Sequence, residues 1–488
     1  MRRTPALLVS SAAAALAAGA TAIVVARRRA RARSAVRARG VATRHARLAA
    51  VGARSGAAYA VHRARRAVAP PGRREALDEA HQLRTAAQVA ETLGHMKGAL
   101  MKLGQLASYL DDGMPEPFRE ALASLQHDAP PMAPELCARV IRDELGDDPE
   151  RVFARWDPVP IAAASIGQVH RARTHDGHDV AVKVQYPGVD DAIRADLTST
   201  DVLFRALSLL FPGLDPGPLV DELRARLVEE LDYRIEAANQ RLFERYYAGH
   251  PFIRVPRVHD PLSTARVLTT DLATGTRFAE VESWPQAERD LAAETIFRFV
   301  FRSLYRLHAF NGDPHPGNYL FAPGGVVTFL DFGLVKRYRP DEVQLFEELI
   351  RHMVLEHDIG RFRKALEAHG ILRSDPSITD DDVRGYFGHF YEFVMEDRVV
   401  SFGPEYASET VRRFFDVNGP YAHVAKASNV PPAFVVTQRI NLGLHAVLGR
   451  LRATANFRRI AEELWPIVDG PPSTPMGEAE AAWLAGRS

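Results

Sequence analysis

The feature that most constrains the fold of this chain is a set of three polar residues, Asp313, Asn318 and Asp331. Asn318 lies five positions after Asp313, and Asp331 lies thirteen positions after Asn318. A strand-like run, Val326–Leu330, leads into the second acid. This spacing is typical of a phosphoryl-transfer site that uses ATP and Mg²⁺. We therefore expect Asp313 to act on the attacking nucleophile, and Asn318 and Asp331 to hold the metal.

The pattern of apolar residues predicts an α+β fold. A helical prefix precedes a small strand-rich region, and a larger, mostly helical region follows it. This order is that of a bilobal protein-kinase-like fold with an N-terminal helical extension. The predicted divisions are a membrane anchor or basic arm (1–33), a basic linker (34–74), the helical extension (75–150), the N-lobe (151–275), the C-lobe (276–470) and a disordered tail (471–488).

The N-terminal segment carries the clearest charge asymmetry. Residues 1–74 hold seventeen arginines and no acidic residue, whereas the whole chain has a net charge of +1. The 23 residues of Thr4–Ala26 are uncharged and long enough to cross a bilayer. Arginines cluster after them, which favours a single-pass anchor in the cell inner membrane with the remainder in the cytoplasm. A surface-lying basic arm and a cleaved signal peptide are the alternatives; nucleic acid is not an expected partner, because only Tyr59 interleaves with the arginines.

Lys183 lies in an alternating run, Val180–Val184, that predicts a strand. A lysine on such a strand, upstream of the Asp–Asn–Asp set, is expected to contact the α- and β-phosphates and to be oriented by a glutamate from a helix. The alternative is an ordinary strand lysine.

The segment before this strand is expected to cover the phosphates, but it is built from alanine instead of glycine. It reads Ala162, Ala163, Ala164, Ser165, Ile166, Gly167 and Gln168. A Cβ atom restricts close approach of the backbone to phosphate, so we expect a constrained mode of nucleotide binding in which Ser165 offers a hydroxyl. Asp271, after the predicted strand Val267–Thr270, completes the expected nucleotide-binding residues.

A helix predicted over Asp221–Tyr247 carries three acids, Glu230, Asp232 and Glu236. Asp232 and Glu236 share a face on an ideal helix, whereas Glu230 is turned about 240° from Glu236. The acids are therefore expected to serve more than one partner, and one of them can pair with Lys183.

Four elements together resemble the UbiB/AarF/ADCK group of atypical kinases. They are Lys102-Leu103-Gly104-Gln105, the loop Ala162–Gln168, the pair Glu230 and Asp232, and the segment Asp313–Asn318. The resemblance implies that the helix carrying Lys102 and Gln105 packs over the active site and gates it with Glu230 and Asp232. It also implies that Lys102 pairs with Glu230 and that Glu236 pairs with Lys183.

The same resemblance implies ATP binding and ATPase activity linked to isoprenoid-quinone biosynthesis or lipid homeostasis at a membrane. The expected partners are a membrane lipid or prenylated small molecule and quinone-biosynthesis enzymes. A predicted helix start at Pro340 lies only nine positions after Asp331, and no Ala-Pro-Glu follows, which argues against a peptide substrate. Three functions remain open: a Mg²⁺-dependent ATPase, a small-molecule or lipid phosphotransferase, and a nucleotide-binding pseudokinase scaffold.

Overall fold

The computed structural model describes residues 132–164, 166–189, 229–312, 314–403, 406, 409, 419–428 and 432–487. The anchor, the linker, most of the helical extension, Ser165 and Asp313 lie outside these residues. Within these ranges, no helix is both long enough and apolar enough to span a membrane.

The N-terminal lobe is a four-stranded antiparallel sheet in the order β1-β2-β3-β5. Two helices, α1 (Pro134–Leu145) and the short α2 (Pro149–Val152), precede it. Its strands are β1 (Arg155–Ala164), β2 (Gly167–Arg173), β3 (Asp179–Gln185) and β5 (Val267–Asp271). At the turn between β2 and β3, Gly177 adopts a left-handed φ of 93°.

Alternation along β3 decides which residues face the functional site. Val180, Val182 and Val184 are buried against α1 in one cluster. Because successive side chains of a strand point to opposite faces, Lys183 lies on the other face of the sheet. The helix α3 (Tyr233–Tyr246) lies on that other side.

A second, four-stranded sheet has the order β4-β9-β8-β6, with β4 parallel to β9. The strands are β4 (Ile253–Arg254), β6 (Thr276–Arg277), β8 (Tyr319–Ala322) and β9 (Val326–Phe329). The predicted strand leading into Asp331 is thus confirmed as β9. Two short pairs complete the β structure: β7 (Ala309–Asn311) with β10 (Val335–Arg337), and β11 (Val400–Ser401) with β12 (Thr454–Ala455).

Helices make up most of the C-terminal lobe, which is packed around the 22-residue helix α5. They are α4 (Phe278–Val281), α5 (Gln286–Leu307), α6 (Pro340–Ile350), α7 (Ile359–Ala368), α8 (Asp380–Phe387), α9 (Ala422–Ala427), α10 (Pro432–Leu451), α11 (Phe457–Glu462) and α12 (Pro475–Ala485). Irregular helical segments occur at Asp260–Leu262, Pro316–Asn318, Arg351–Leu355 and Gly388–Val394.

Helix α12 replaces the disordered tail that composition predicted for residues 471–488. Thr474 caps it by accepting a hydrogen bond from the Gly477 backbone N–H, and Met476 and Glu480 on it are buried. The Glu480 carboxylate receives hydrogen bonds from Arg298 and Arg302 of α5. The prediction of disorder was wrong because a composition rich in Pro and Ala does not reveal that distant arginines bind Glu480.

The expected helix Asp221–Tyr247 was also wrong in part, because it is not continuous. Residues 229–230 are helical, but the chain leaves the helix at Leu231, and α3 begins only at Tyr233. Asp232 is the N-cap of α3, and its carboxylate accepts a hydrogen bond from the Arg234 N–H. At the break, the buried Leu231 carbonyl accepts a hydrogen bond from Gln185 Nε2 at 3.0 Å. The ideal-helix angle between Glu230 and Glu236 therefore does not apply.

Candidate active site

The site is built around an ion pair between β3 and α3. Lys183 Nζ donates to both carboxylate oxygens of Glu236 at 2.9 Å, and their side chains are 17% and 7% exposed. The predicted lysine–glutamate pairing is present, although the helix that supplies the glutamate begins later than expected. The pairing fixes the distance between the sheet and α3.

A second acid lies on the same lysine. Asp331 Oδ2 is 3.7 Å from Lys183 Nζ, and its side chain is 27% exposed. Burial by itself would lower the pKa of Lys183, but attraction to Glu236 and Asp331 outweighs it and holds that pKa well above its usual value. Lys183 is therefore a cation at physiological pH, with one carboxylate fixed behind it and another at the more exposed end.

The backbone around Asp331 is held by two asparagine side chains. Asn311, on β7, donates from Nδ2 to the Asp331 carbonyl at 2.8 Å. Asn239, on α3, donates from Nδ2 to the Phe332 carbonyl at 3.1 Å. Arg337 in turn donates to Asn239 Oδ1 at 3.1 Å. The backbone of Asp331 and Phe332 is thus tied both to the helix that carries Glu236 and to the strand that precedes Asp313.

Sequence reasoning assigned no role to these asparagines. Asn239 was visible on the same helix as Glu236, three residues further on, which places both on one face. That spacing is the signal that could have identified it. Asn311 offered no comparable signal, because its partner lies twenty positions away and is a backbone carbonyl.

Gly333 shapes the Asp331 side chain. The Gly333 N–H donates to Asp331 Oδ1 at 2.9 Å, and this leaves Oδ2 directed at Lys183. A Cβ atom at position 333 would lie 3.3 Å from Asp331 Oδ1, which is tighter than most contacts of real Cβ atoms. The glycine after Asp331 and Phe332 therefore permits the close turn that orients the carboxylate.

The two predicted metal ligands lie just before the start of β8 and just after the end of its partner strand β9. Asn318 ends the short helix Pro316–Asn318, and its carbonyl accepts from the Leu330 N–H at 3.0 Å, one residue before Asp331. His315 orients this turn, since its Nδ1 accepts from the Gly317 N–H at 3.0 Å. Amide and carboxylate oxygens are the donors that Mg²⁺ prefers, and Mg²⁺ is commonly held by one or two such groups together with phosphate oxygens. Asn318 and Asp331 fit that requirement.

The alanines of the expected phosphate-covering loop are strand residues. Ala162, Ala163 and Ala164 pair in the β1–β2 ladder with Val169, Gln168 and Gly167. Ala162 and Ala163 are exposed and Ala164 is half-buried. The expected loop is therefore shorter than the motif, and its turn lies between Ala164 and Gly167.

Ile166 and Gly167 face the interior of the lobe. Ile166 is 2% exposed and packs in the same cluster as Tyr233 and Leu268. A Cβ atom at Gly167 would collide with the Val184 carbonyl. Both residues therefore shape the turn, and their expected contact with nucleotide stays a prediction.

The carboxylate of Asp271 is already engaged. His259 Nε2 lies 2.7 Å from Asp271 Oδ1, and Arg257 Nε lies 4.0 Å from the same oxygen. The Asp271 backbone N–H donates to the Arg257 carbonyl at the end of β5. The structure thus places the Asp271 side chain in a local polar cluster, and its expected contact with nucleotide stays a prediction.

Of the four residues predicted to gate the site, the structure describes only Glu230 and Asp232. Glu230 is 9% exposed and lies beside the break before α3. Asp232 is committed to capping α3 and to an ion pair with Arg234. Lys102 and Gln105 lie outside the described residues, so the pairing of Lys102 with Glu230 stays a prediction.

Comparison with known proteins identifies the family of the domain that carries these residues. Residues 124–366 match the model of the ABC1 atypical kinase-like domain, a range that includes Lys183, Glu236, Asn318 and Asp331. A solved structure of Rv3197 from Mycobacterium tuberculosis, in complex with erythromycin, superposes with a TM-score of 0.59. It is 30% identical, and the match covers 81% of this chain and 97% of that chain. The chain belongs to the ABC1 atypical kinase family.

Curated ABC1 relatives include mitochondrial and chloroplast proteins. The atypical kinase COQ8B of Rattus norvegicus is 33% identical over 268 residues, covering 54% of this chain and 51% of that protein. The atypical kinase COQ8 of Saccharomyces cerevisiae is 30% identical over 282 residues, covering 57% and 56%. A third, ACTIVITY OF BC1 COMPLEX KINASE 1 of Arabidopsis thaliana, is 32% identical over 304 residues, covering 60% and 44%. This chain therefore spans about half the length of these relatives.

Membership in the ABC1 family confirms the protein-kinase-like fold and the kinase class that the sequence predicted. The Lys183–Glu236 pair and Asp331 lie within the matched domain. The chemical step and its acceptor are a separate question.

Proposed function

We propose that this ABC1 kinase-like protein binds ATP with Mg²⁺ and transfers the γ-phosphoryl group, to water in the first instance. The observation that supports this most directly is Lys183 held between Glu236 at 2.9 Å and Asp331 at 3.7 Å. A partly buried lysine that is charged at physiological pH can bind phosphate oxygens, and the more exposed carboxylate beside it can hold a metal.

Each residue has a distinct task in this proposal. Lys183 binds the α- and β-phosphates, and Glu236 keeps its ammonium group in place. Asn318 and Asp331 hold Mg²⁺, which when bound neutralises charge on the phosphates. Asp313 orients the attacking water; the new bond joins the water oxygen to phosphorus as the bond to the ADP oxygen breaks. Acceleration comes from positioning and electrostatic stabilisation.

Water or a small acceptor is favoured over a peptide. The segment after Asp331 runs directly into β10 and then into α6, which begins at Pro340. That leaves no long segment on which a peptide could dock. A phosphorylated small molecule or lipid is therefore the second candidate product, and a pseudokinase scaffold is the third reading.

The setting that we propose is a membrane. Residues 1–33 would anchor the protein in the cell inner membrane with the kinase-like domain in the cytoplasm. Lys102, Gln105 and Glu230 would gate the site, and a role in isoprenoid-quinone or lipid metabolism is supported by the similarity to COQ8 proteins.

Deleting residues 1–33 should move the protein from the membrane fraction to the soluble fraction. If the full-length chain is already soluble, the anchor proposal fails.

Phosphate release by full-length protein in detergent tests the activity. Wild type should release phosphate from ATP in a Mg²⁺-dependent way, and Asp331→Asn should lose at least about 100-fold of that rate. Glu478→Gln, an exposed acid on α12, is the matched control and should behave as wild type. No release by wild type, or equal release by Asp331→Asn, would overturn the ATPase proposal. Prenylated phenols added to the same assay, with mass spectrometry of the products, would reveal a phosphorylated acceptor.

A further inference from the structure

A cavity of about 100 Å³ lies inside the C-terminal lobe and shares no described lining residue with the Lys183–Asp331 site. Its walls come from α5, β7, α6, the segment Gly388–Val394, α10 and the region of α11. Nine of the sixteen described lining residues are Phe, Tyr or Trp. Protein interiors are normally close-packed, so a void bordered by this many rings is unusual.

Apart from tyrosine and tryptophan, the lining contains two polar side chains. Asn441 and His445 are four residues apart on α10, which places them on one face of the helix. The Oδ1 atom of Asn441 and the Nδ1 atom of His445 are buried and have no hydrogen-bond partner among the described residues. His445 as a whole is only 4% exposed. Because buried polar atoms are almost always paired, these two atoms indicate where a partner is expected.

Irregular backbone borders the cavity on two sides. A π-helical turn, Arg351–Leu355, directly follows Ile350 of the lining, and Gly388–Val394, which carries four lining residues, is a 3₁₀-helix. Single π-helical turns are frequent at functional sites. The cavity is also uncharged, because burial lowers the pKa of His445 to about 3 and the ring is therefore neutral at physiological pH.

We propose that this cavity is a binding site for a small, neutral, planar aromatic compound that carries one N–H or O–H donor. The surrounding rings provide stacked and edge-on contacts for a flat ligand. Asn441 Oδ1 accepts the donor hydrogen, and His445 Nδ1 lies on the same helix face as a second polar contact. The site is connected to the proposed catalytic machinery through β7, since Phe310 lines the cavity and the next residue, Asn311, holds the Asp331 backbone.

Isothermal titration of the full-length protein with indole and benzofuran tests this proposal. The two compounds have nearly the same shape, but only indole carries an N–H donor. Wild type should bind indole about tenfold more tightly than benzofuran, as expected for one net hydrogen bond in a buried site. Asn441→Leu should reduce this ratio to about one while keeping benzofuran binding. Ala461→Leu, which fills the cavity from α11, should abolish binding of both compounds, and Ala368→Leu, on an exposed position of α7, should bind as wild type does.

A water molecule bridging Asn441 and His445 is the main alternative, because buried waters satisfy such atoms in many proteins. In that case wild type binds neither compound, and the proposal is overturned. Equal binding of indole and benzofuran by wild type would also overturn it, because the polar pair would then recognise nothing. If Ala461→Leu fails to fold, the loss of indole preference in Asn441→Leu still decides the outcome.

Discussion

The ion pair between Lys183 and Glu236 and the ion cluster around Glu480 both lie inside the protein, but they differ in access. In the first, one lysine faces two carboxylates, and the side chain of Asp331 remains 27% exposed. In the second, Glu480 is bound by Arg298 and Arg302, and all three side chains are at most 4% exposed. The first arrangement leaves charge available to a ligand, whereas the second is closed.

The closed cluster attaches the C-terminal helix to the lobe. Arg298 also pairs with Glu294 at 2.8 Å and with Glu463, so its guanidinium is surrounded by acids from α5 and the region of α11. A buried charge is stable only when it is paired and hydrogen-bonded. The comparison therefore predicts that mutations at Lys183 affect chemistry most and that mutations at Glu480 affect stability most.

The largest expected effect is on activity, from Lys183→Met. Removing the ammonium group takes away the contact to the phosphates, and phosphate release should fall at least about 100-fold. Nucleotide affinity, measured separately by titration, should weaken as well. Near-normal turnover in a folded Lys183→Met protein would show that this ion pair is structural, like the one at Glu480.

Glu480→Gln should produce the largest loss of stability. The substitution leaves Arg302 without its carboxylate, and breaking a buried pair in this way costs about 3–5 kcal/mol. Denaturant unfolding measures the loss, with the exposed Glu478→Gln on the same helix as the control. Turnover per folded molecule should stay within about twofold of wild type. Equal unfolding curves for the two variants would mean that α12 does not stabilise the lobe.

Acid should weaken the same cluster. Burial would raise the pKa of Glu480, but its hydrogen bond from His250 and the attraction of Arg302 lower that pKa to about 2, against an ordinary value of 4.5. A lowered carboxylate pKa contributes stability above the unfolded value and loses it as pH falls towards the folded value. The free energy of unfolding of the wild type should therefore fall by about 3 kcal/mol between about pH 5 and pH 2 because of this group. Glu480→Gln should lack that component when unfolding is followed across the same range.

Asn311→Ala is expected to have smaller effects, on both stability and Mg²⁺ requirement. The variant loses one hydrogen bond to the Asp331 backbone and should be destabilised by about 1–2 kcal/mol. Because the backbone of Asp331, a proposed Mg²⁺ ligand, is then less well held, the Mg²⁺ concentration for half-maximal phosphate release should rise severalfold. Reduced stability with an unchanged Mg²⁺ requirement would assign Asn311 to packing alone.

The kinase-like fold and several active-site features were accessible from the sequence because their signals are local. The alternation of Val180–Val184 predicted the strand that carries Lys183, and the run Val326–Leu330 predicted the strand that leads into Asp331. Helix boundaries were less accessible. At the break, the Leu231 carbonyl accepts a hydrogen bond from Gln185, which lies 46 positions away, so no local sequence pattern reports it. The alanine segment was misassigned as a loop for the same reason, since pairing with β2 made it a strand.

The sequence by itself determined the chemistry that is available: a lysine on a strand, an acid after another strand and an amide between them, each defined by spacing within its own element. Only the tertiary structure decided which charges are enclosed and which remain accessible. Glu236 and Glu480 are both glutamates on helices, yet one orients a lysine beside an accessible acid and the other fastens the last helix to two arginines. Burial and long-range pairing make that difference, and both arise when distant segments pack together.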